Sequence, residues 1–200
     1  MKVIQISVET YTSNIYKISL GDNVWFVDMG NAKPAIQALS VNEKVKGVLI
    51  THAHYDHIYG INELCQTFPE CLVFASEYAK DGLFSDKLNL SFYHEDPVIY
   101  EGDKVEIIKD KDEINLDSNH VIKCLYTPGH NLGSMSFQIG NYLFTGDSYI
   151  PGIPVVTKLK SGDKQQNKIS LQRIKSLIEA NTIVCPGHGP MFKNGTAWVS

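Results

Sequence analysis

Thr51-His52-Ala53-His54-Tyr55-Asp56-His57 is the stretch on which the reading of this chain turns, a His-x-His-x-Asp-His run with four metal-capable side chains between positions 52 and 57. Neutral imidazoles and carboxylates are borderline-to-hard ligands that suit zinc, iron or manganese. Packing so many of them into one turn serves no apolar core. The competing reading is a solvated loop that happens to be rich in His. Three further candidates in glycine-marked turns weigh against it: His130 in Thr127-Pro128-Gly129-His130-Asn131-Leu132-Gly133-Ser134, Asp147 in Phe144-Thr145-Gly146-Asp147-Ser148, and His188 in Cys185-Pro186-Gly187-His188-Gly189-Pro190.

Outward from the motif, the informative pattern is positional, because each candidate follows an apolar run of strand character. Residues 45–50 lead into His52, 121–126 into His130, 141–145 into Asp147 and 182–185 into His188. Runs rich in β-branched and aromatic residues and closed by Gly or Pro read as strands. If their ends converge on one rim of a sheet core, seven ligands scattered in sequence become one site on loops held by a rigid scaffold.

Behind the motif, Ile58, Ile61, Leu64, Cys65 and Phe68 step by three and four as far as Pro69, which predicts one helix anchoring the ligand loop. A second helix is expected to open at Pro34, and a third to run from about 165 to 180 with Leu171, Ile174, Leu177 and Ile178 on one face. The first thirty residues read as hairpins: strands over 3–8, 13–20 and 24–28, with a Gly21-Asp22-Asn23 turn. The segment from 81 to 117 is expected to hold loops and one further hairpin.

The chain of 200 residues, 43% hydrophobic and 20% charged with a formal net charge of -4, fits one domain spanning 1–200, read as two α-and-β halves that each supply ligands. Mild acidity argues against a nucleic-acid partner. No apolar run is long enough to cross a membrane, and residues 1–10 lack the features of a signal peptide, so the expected location is cytoplasmic. Oligomeric state cannot be read. Cys65, Cys71, Cys124 and Cys185 show no metal-binding spacing and read as buried free thiols, with Cys185 close enough to His188 for a metal-adjacent role to stay open.

In these motifs, from Val27-Asp28-Met29-Gly30 onwards, the chain resembles the metallo-β-lactamase superfamily, most nearly its short glyoxalase II-like (hydroxyacylglutathione hydrolase-like) hydrolases. The resemblance implies an α+β fold, a four-layer αββα sandwich with two mixed sheets and helices outside. It assigns His52, His54 and His130 to one metal, Asp56, His57 and His188 to a second, and Asp147 to both. It also implies that Asp28 buttresses the ligand loop; an ordinary strand-end turn Asp is the other reading. The implied cofactor is two divalent ions, zinc first, with iron and manganese as alternatives.

The implied activity is hydrolysis of a small thioester, ester or lactone, with Asp56 as both ligand and nearest base and Tyr149 positioned to bond a substrate carbonyl or leaving group. A persulfide dioxygenase with iron and a phosphodiester hydrolase of the same fold are the alternatives. A carboxylate at Asp147, where the major zinc β-lactamases resemble a pattern with Cys, argues against penicillin. The segment from Ser148 to Pro154, directly after Gly146-Asp147, departs from the persulfide dioxygenase pattern. The sequence also lacks the C-terminal helical domain of long glyoxalase II enzymes, which predicts weaker glutathione selectivity. Lys158 and Lys160, in the loop 148–164, are candidate contacts for an anionic substrate group; a solvated connection is the competing reading.

Overall fold

The computed structural model describes residues 1–8 and 12–193. The chain divides into two compact units, Met1–Ile107 and Ile108–Ser200. Among the described residues the strands form two six-stranded sheets, one in each unit, and both are mixed.

In the first unit, β1 (Lys2–Ser7), β2 (Asn14–Leu20) and β3 (Asn23–Val27) form an antiparallel meander. Gly21 sits in its tight turn at φ 58°, a conformation that a residue with a Cβ resists. From β3 onward the pairing is parallel, through β4 (Lys44–Leu49), β5 (Leu72–Ala75) and β6 (Val105–Ile107). Parallel pairing requires crossovers, and helices provide them: α1 (Ala32–Gln37), α2 (Tyr55–Ile58) with α3 (Ile61–Thr67), and α4 (Glu77–Leu83). Val24, Phe26, Val48, Val73 and Ala75 of this sheet, with Ile50 just past β4, form one core with Ala35, Ile61, Leu64, Ala79 and Leu83 of the helices. Each large aliphatic or aromatic side chain buried there contributes about 1.5–3 kcal/mol.

In the second unit, β7 (Glu113–Asn115), β8 (Val121–Tyr126), β9 (Met135–Ile139) and β10 (Tyr142–Gly146) run antiparallel in sequence order. Helix α5 (Lys164–Ser176) then returns the chain to β11 (Ile183–Pro186), parallel to β10, and β12 (Phe192–Lys193) closes the edge. Edge strand β7 is only three residues long, which limits the unpaired backbone it offers to another chain.

The α+β class is the expected one, and several elements differ from the sequence reading. The helix behind the motif is broken between α2 and α3. The Gly60 amide donates to the Met29 carbonyl at 2.8 Å, and a Cβ at Gly60 would stand 2.3 Å from the Ala32 nitrogen, so close chain approach overrides the helical period. Helix α1 starts before Pro34 because the Asn31 side chain accepts from the Lys33 amide at 3.1 Å. Asp163 caps α5 in the same way through the Gln165 and Gln166 amides, and that helix ends at Ser176 with Leu177 and Ile178 beyond it. In 81–117 no hairpin forms: β6 pairs with β5 and β7 with β8. Helix α4, capped by Ser76, and strand β9 had no counterpart in the sequence reading.

Candidate metal centre

The parallel registers bring strand ends side by side. Val27 of β3 pairs with Leu49 of β4, so Asp28 and Thr51 emerge together. Gly146 of β10 pairs with Pro186 of β11, and the Gly187 amide donates to the Gly146 carbonyl at 2.9 Å, so Asp147 and His188 also emerge together. Functional groups are expected at the carboxyl ends of parallel strands in such sheets.

In the first unit, Asp28 organises the motif. It is buried, 2% exposed, and holds φ 57°, a left-handed conformation that Asp tolerates better than most residues. Its Oδ1 accepts from the Thr51 amide at 2.7 Å, and its Oδ2 accepts from the Thr51 hydroxyl at 2.7 Å and from His57 Nδ1 at 2.8 Å. An ionised carboxylate only accepts, so the His57 proton resides on Nδ1. The Thr51 hydroxyl spends its one proton on Asp28, so at 3.1 Å it accepts from His52 Nδ1. Both rings therefore carry their lone pair on Nε2. His52 Nε2 faces His54 Nδ1 at 3.1 Å, and His57 Nε2 stands 3.5 Å from Asp56 Oδ2.

Backbone contacts fix the turn that carries these groups. Ser13 Oγ donates to the Asp56 carbonyl at 2.7 Å, the Met29 amide to the His57 carbonyl at 2.7 Å, and the Tyr55 amide to the Asn89 carbonyl at 2.9 Å. A Cβ at Gly30 would come within 2.3 Å of the Asp56 carbonyl oxygen, so the Asp28-Met29-Gly30 corner needs a residue without one. Asn89 is itself buried, its amide donating to the carbonyls of Gly82 and Val98 at 2.9 and 2.8 Å.

In the second unit, Asp147 Oδ2 stands 3.6 Å from His130 Nε2 and 3.5 Å from His188 Nε2. His130 Nδ1 lies 2.8 Å from the Val156 carbonyl, which can only accept, so this ring too has its lone pair on Nε2. Three buried hydroxyls join the two loops: Ser148 Oγ donates to the Thr127 carbonyl at 2.8 Å, while Thr127 Oγ1 lies 3.2 Å from Ser148 Oγ and 2.9 Å from Ser136 Oγ. Gly129, at φ 135°, lets the loop meet α5, where a Cβ would fall 2.3 Å from Asn167 Cα. Below the loop, Arg173 Nη1 donates to Asp110 Oδ1 at 2.6 Å and to the Tyr126 carbonyl at 3.1 Å.

The donor set fits a divalent cation. Atoms that share an ion at about 2.0–2.2 Å in tetrahedral geometry stand roughly 3.3–3.6 Å from one another. The Asp56–His57, Asp147–His130 and Asp147–His188 separations lie at that spacing, longer than good direct hydrogen bonds. A carboxylate or carbonyl behind a ligating imidazole is the usual means of aiming it. Asp28 and Val156 stand in that relation to His57 and His130.

The remaining sequence candidates have clear positions. Lys158 and Lys160 are exposed on the loop whose Val156 carbonyl holds His130. The ring of Tyr149 lies under the ammonium of Lys175, 5.9 Å from its centroid, and its carbonyl accepts from Thr145 Oγ1 at 2.6 Å. The roles of Thr51, Ser13, Ser148 and the Val156 carbonyl were missed in the sequence. Thr51 adjoins the motif and was the one with a legible signal.

A family model described as the metallo-beta-lactamase superfamily matches residues 29–188. Over 182 residues the chain is 28% identical to the hydroxyacylglutathione hydrolase of Tolumonas auensis, an alignment covering 90% of this chain and 62% of that enzyme. The chain thus spans less than two thirds of that relative's length. Among solved structures it is similar to BLEG-1, a B3 metallo-beta-lactamase, with a TM-score of 0.87 and 24% identity over 96% of this chain and 93% of that one. It is also similar to TTHA1623 in a di-iron-bound form, with a TM-score of 0.80 and 22% identity over 95% and 94% of the two chains. At these identities the structural likeness establishes the fold.

Proposed function

The chain belongs to the metallo-β-lactamase superfamily, and from that premise we propose that it is a dinuclear metal-dependent hydrolase of a small thioester, ester or lactone. His52, His54 and His130 would hold one ion, Asp56, His57 and His188 the other, and Asp147 both. The observation that carries the reading is the set of contacts behind the rings: the Asp28 carboxylate, the Thr51 hydroxyl and the Val156 carbonyl each engage Nδ1 of a histidine, which turns the Nε2 lone pair of His57, His52 and His130 towards ligation. Seven donors exceed the four that a single zinc takes.

Two bound ions would lower the pKa of water from about 15.7 towards 7 and polarise a substrate carbonyl. The protein's own groups do the rest. Asp56 is the more exposed of the two candidate carboxylate ligands, 24% against 13% for Asp147, which supports its assignment as the base that takes a proton from the attacking water. A thiolate leaving group, with a parent pKa of about 8.5, departs without a strong acid. This favours a thioester over an amide. Tyr149 is assigned to a substrate carbonyl or leaving group, and Lys158 and Lys160 to an anionic substituent.

Zinc is the first expectation for this nitrogen and oxygen set, and the di-iron form of TTHA1623 keeps iron in the test. The likeness to a B3 metallo-beta-lactamase makes lactams a necessary comparison. Elemental analysis of protein loaded separately with zinc and iron, followed by turnover of a panel of thioesters, esters, lactones, lactams and a phosphodiester, tests the reading. About two ions per chain and preferred thioester turnover are expected. One ion at most, or lactams turned over faster than every thioester and ester, would overturn it.

A further inference from the structure

Away from the metal ligands, the first unit holds a thiol pair. Cys65 lies on α3, and Cys71 immediately precedes β5. Between them the chain reverses tightly: the Phe68 amide donates to the Leu64 carbonyl and the Cys71 amide to the Phe68 carbonyl, each at 2.9 Å. The reversal returns Cys71 to the helix it has just left, with Cys65 packed against the core cluster that holds Cys71 and Tyr100, and each thiol perturbs the ionisation of the other.

The surroundings of the two thiols differ. Cys65 is half-buried and lines a surface cavity of about 200 Å³ together with Asn62, Gln66, Tyr100, Glu101 and Gly102. The Tyr100 hydroxyl donates to its sulfur at 3.6 Å. Cys71 lies behind it, only 2% exposed. The neighbouring Cys71 thiol, with the hydrogen bond from Tyr100, draws the Cys65 thiol below its ordinary pKa, while the same neighbour relation and burial push Cys71 up. Cys124 and Cys185, at 1% and 0% exposure, have no such access, and burial pushes the Cys124 thiol up to about 12.

We propose that Cys65 and Cys71 form a peroxide-sensitive modification site, with Cys65 as the attacking thiolate at the cavity and Cys71 as the resolving thiol. Cys65 Sγ attacks one oxygen of hydrogen peroxide, the O–O bond breaks, and hydroxide leaves to give a sulfenic acid. Cys71 Sγ then attacks that sulfur; the S–S bond forms, the S–O bond breaks, and water departs with the Cys71 proton. In sum, two thiols lose two electrons and two protons to one peroxide, yielding a disulfide and two waters. A dithiol reductant reverses the change. Nearby solvent access for one sulfur and cover for the other are what distinguish a reactive pair from inert core thiols.

The test treats the full chain with one equivalent of hydrogen peroxide, then counts thiols under denaturing conditions and maps peptides by mass. The expected product keeps two of its four thiols, has lost two hydrogens in mass, and carries a Cys65–Cys71 cross-link. In Cys71→Ser, dimedone should label Cys65; in Cys65→Ser, both disulfide and label at this site should vanish while Cys124 and Cys185 stay reduced. Retention of four thiols, or a cross-link or dimedone label that falls on Cys124 or Cys185 instead, would overturn the proposal. The wild-type map alone decides it should either variant fold poorly.

Discussion

The Asp28 carboxylate stands 2.8 Å from Nδ1 of His57, and through the Thr51 hydroxyl it also governs the proton of His52. One buried acid thus sets two imidazoles at once. It sits at the end of the neighbouring parallel strand rather than in the motif it aims.

Asp28→Asn tests that control. The amide keeps the volume, but in either orientation its NH2 meets a donor, the Thr51 amide on one side or the Thr51 hydroxyl and His57 on the other. A loss of about 1.5–3 kcal/mol of stability is expected, with a fall of roughly 10- to 100-fold in metal affinity. Thermal unfolding and competitive chelator titration check both. Wild-type values in the two measurements would reduce Asp28 to an ordinary turn residue.

Removing Asp147 distinguishes a shared ligand from a private one. Its Oδ2 lies almost equally far from His130 and His188, at 3.6 and 3.5 Å, and these belong to different proposed ions. Asp147→Ala should therefore lower the stoichiometry of both metals together and abolish turnover. If elemental analysis shows one ion retained at full occupancy, the bridging assignment is wrong.

Lys158 and Lys160 predict a salt effect. Both are exposed, so their attraction for an anion is screened over about 8–10 Å at ordinary ionic strength. Replacing both with Ala should raise KM for an anionic thioester several-fold at low salt and little at high salt, with kcat and metal content unchanged. Identical KM across ionic strengths would return the pair to the solvated surface.

A pH dependence follows from the clamp under the His130 loop. Burial alone would raise the Asp110 pKa, but hydrogen bonds from Arg173 and the Tyr126 amide outweigh it and hold the group below its ordinary value. A depressed folded pKa contributes stability that is fully present above the unfolded value of about 3.9 and is lost as pH falls through the folded one. Both partners are about a third exposed, so the pair is worth no more than about 1 kcal/mol. Arg173→Gln should be less stable than wild type by up to that amount at neutral pH, and urea titrations should show the gap closing well below pH 3.9. A gap independent of pH would mean that Arg173 acts by packing.

The sequence by itself determined which side chains could ligate a metal and how they are distributed along the chain. Metal ligation demands particular side chains, so the His-x-His-x-Asp-His run and the glycine-marked turns at His130, Asp147 and His188 were legible, as were the strands that deliver them, because buried strands must be apolar. What only the tertiary structure decided is how those candidate ligands are aimed. A backbone carbonyl such as that of Val156 can orient His130 whatever residue carries it, so no residue type announces the contact. The break at Gly60 was hidden for a related reason: the apolar period of 58–68 is a local signal, whereas the bond to the Met29 carbonyl comes from another part of the chain. Cys65 and Cys71 likewise read as inert core thiols until the turn at Phe68 set one against the other beside Tyr100.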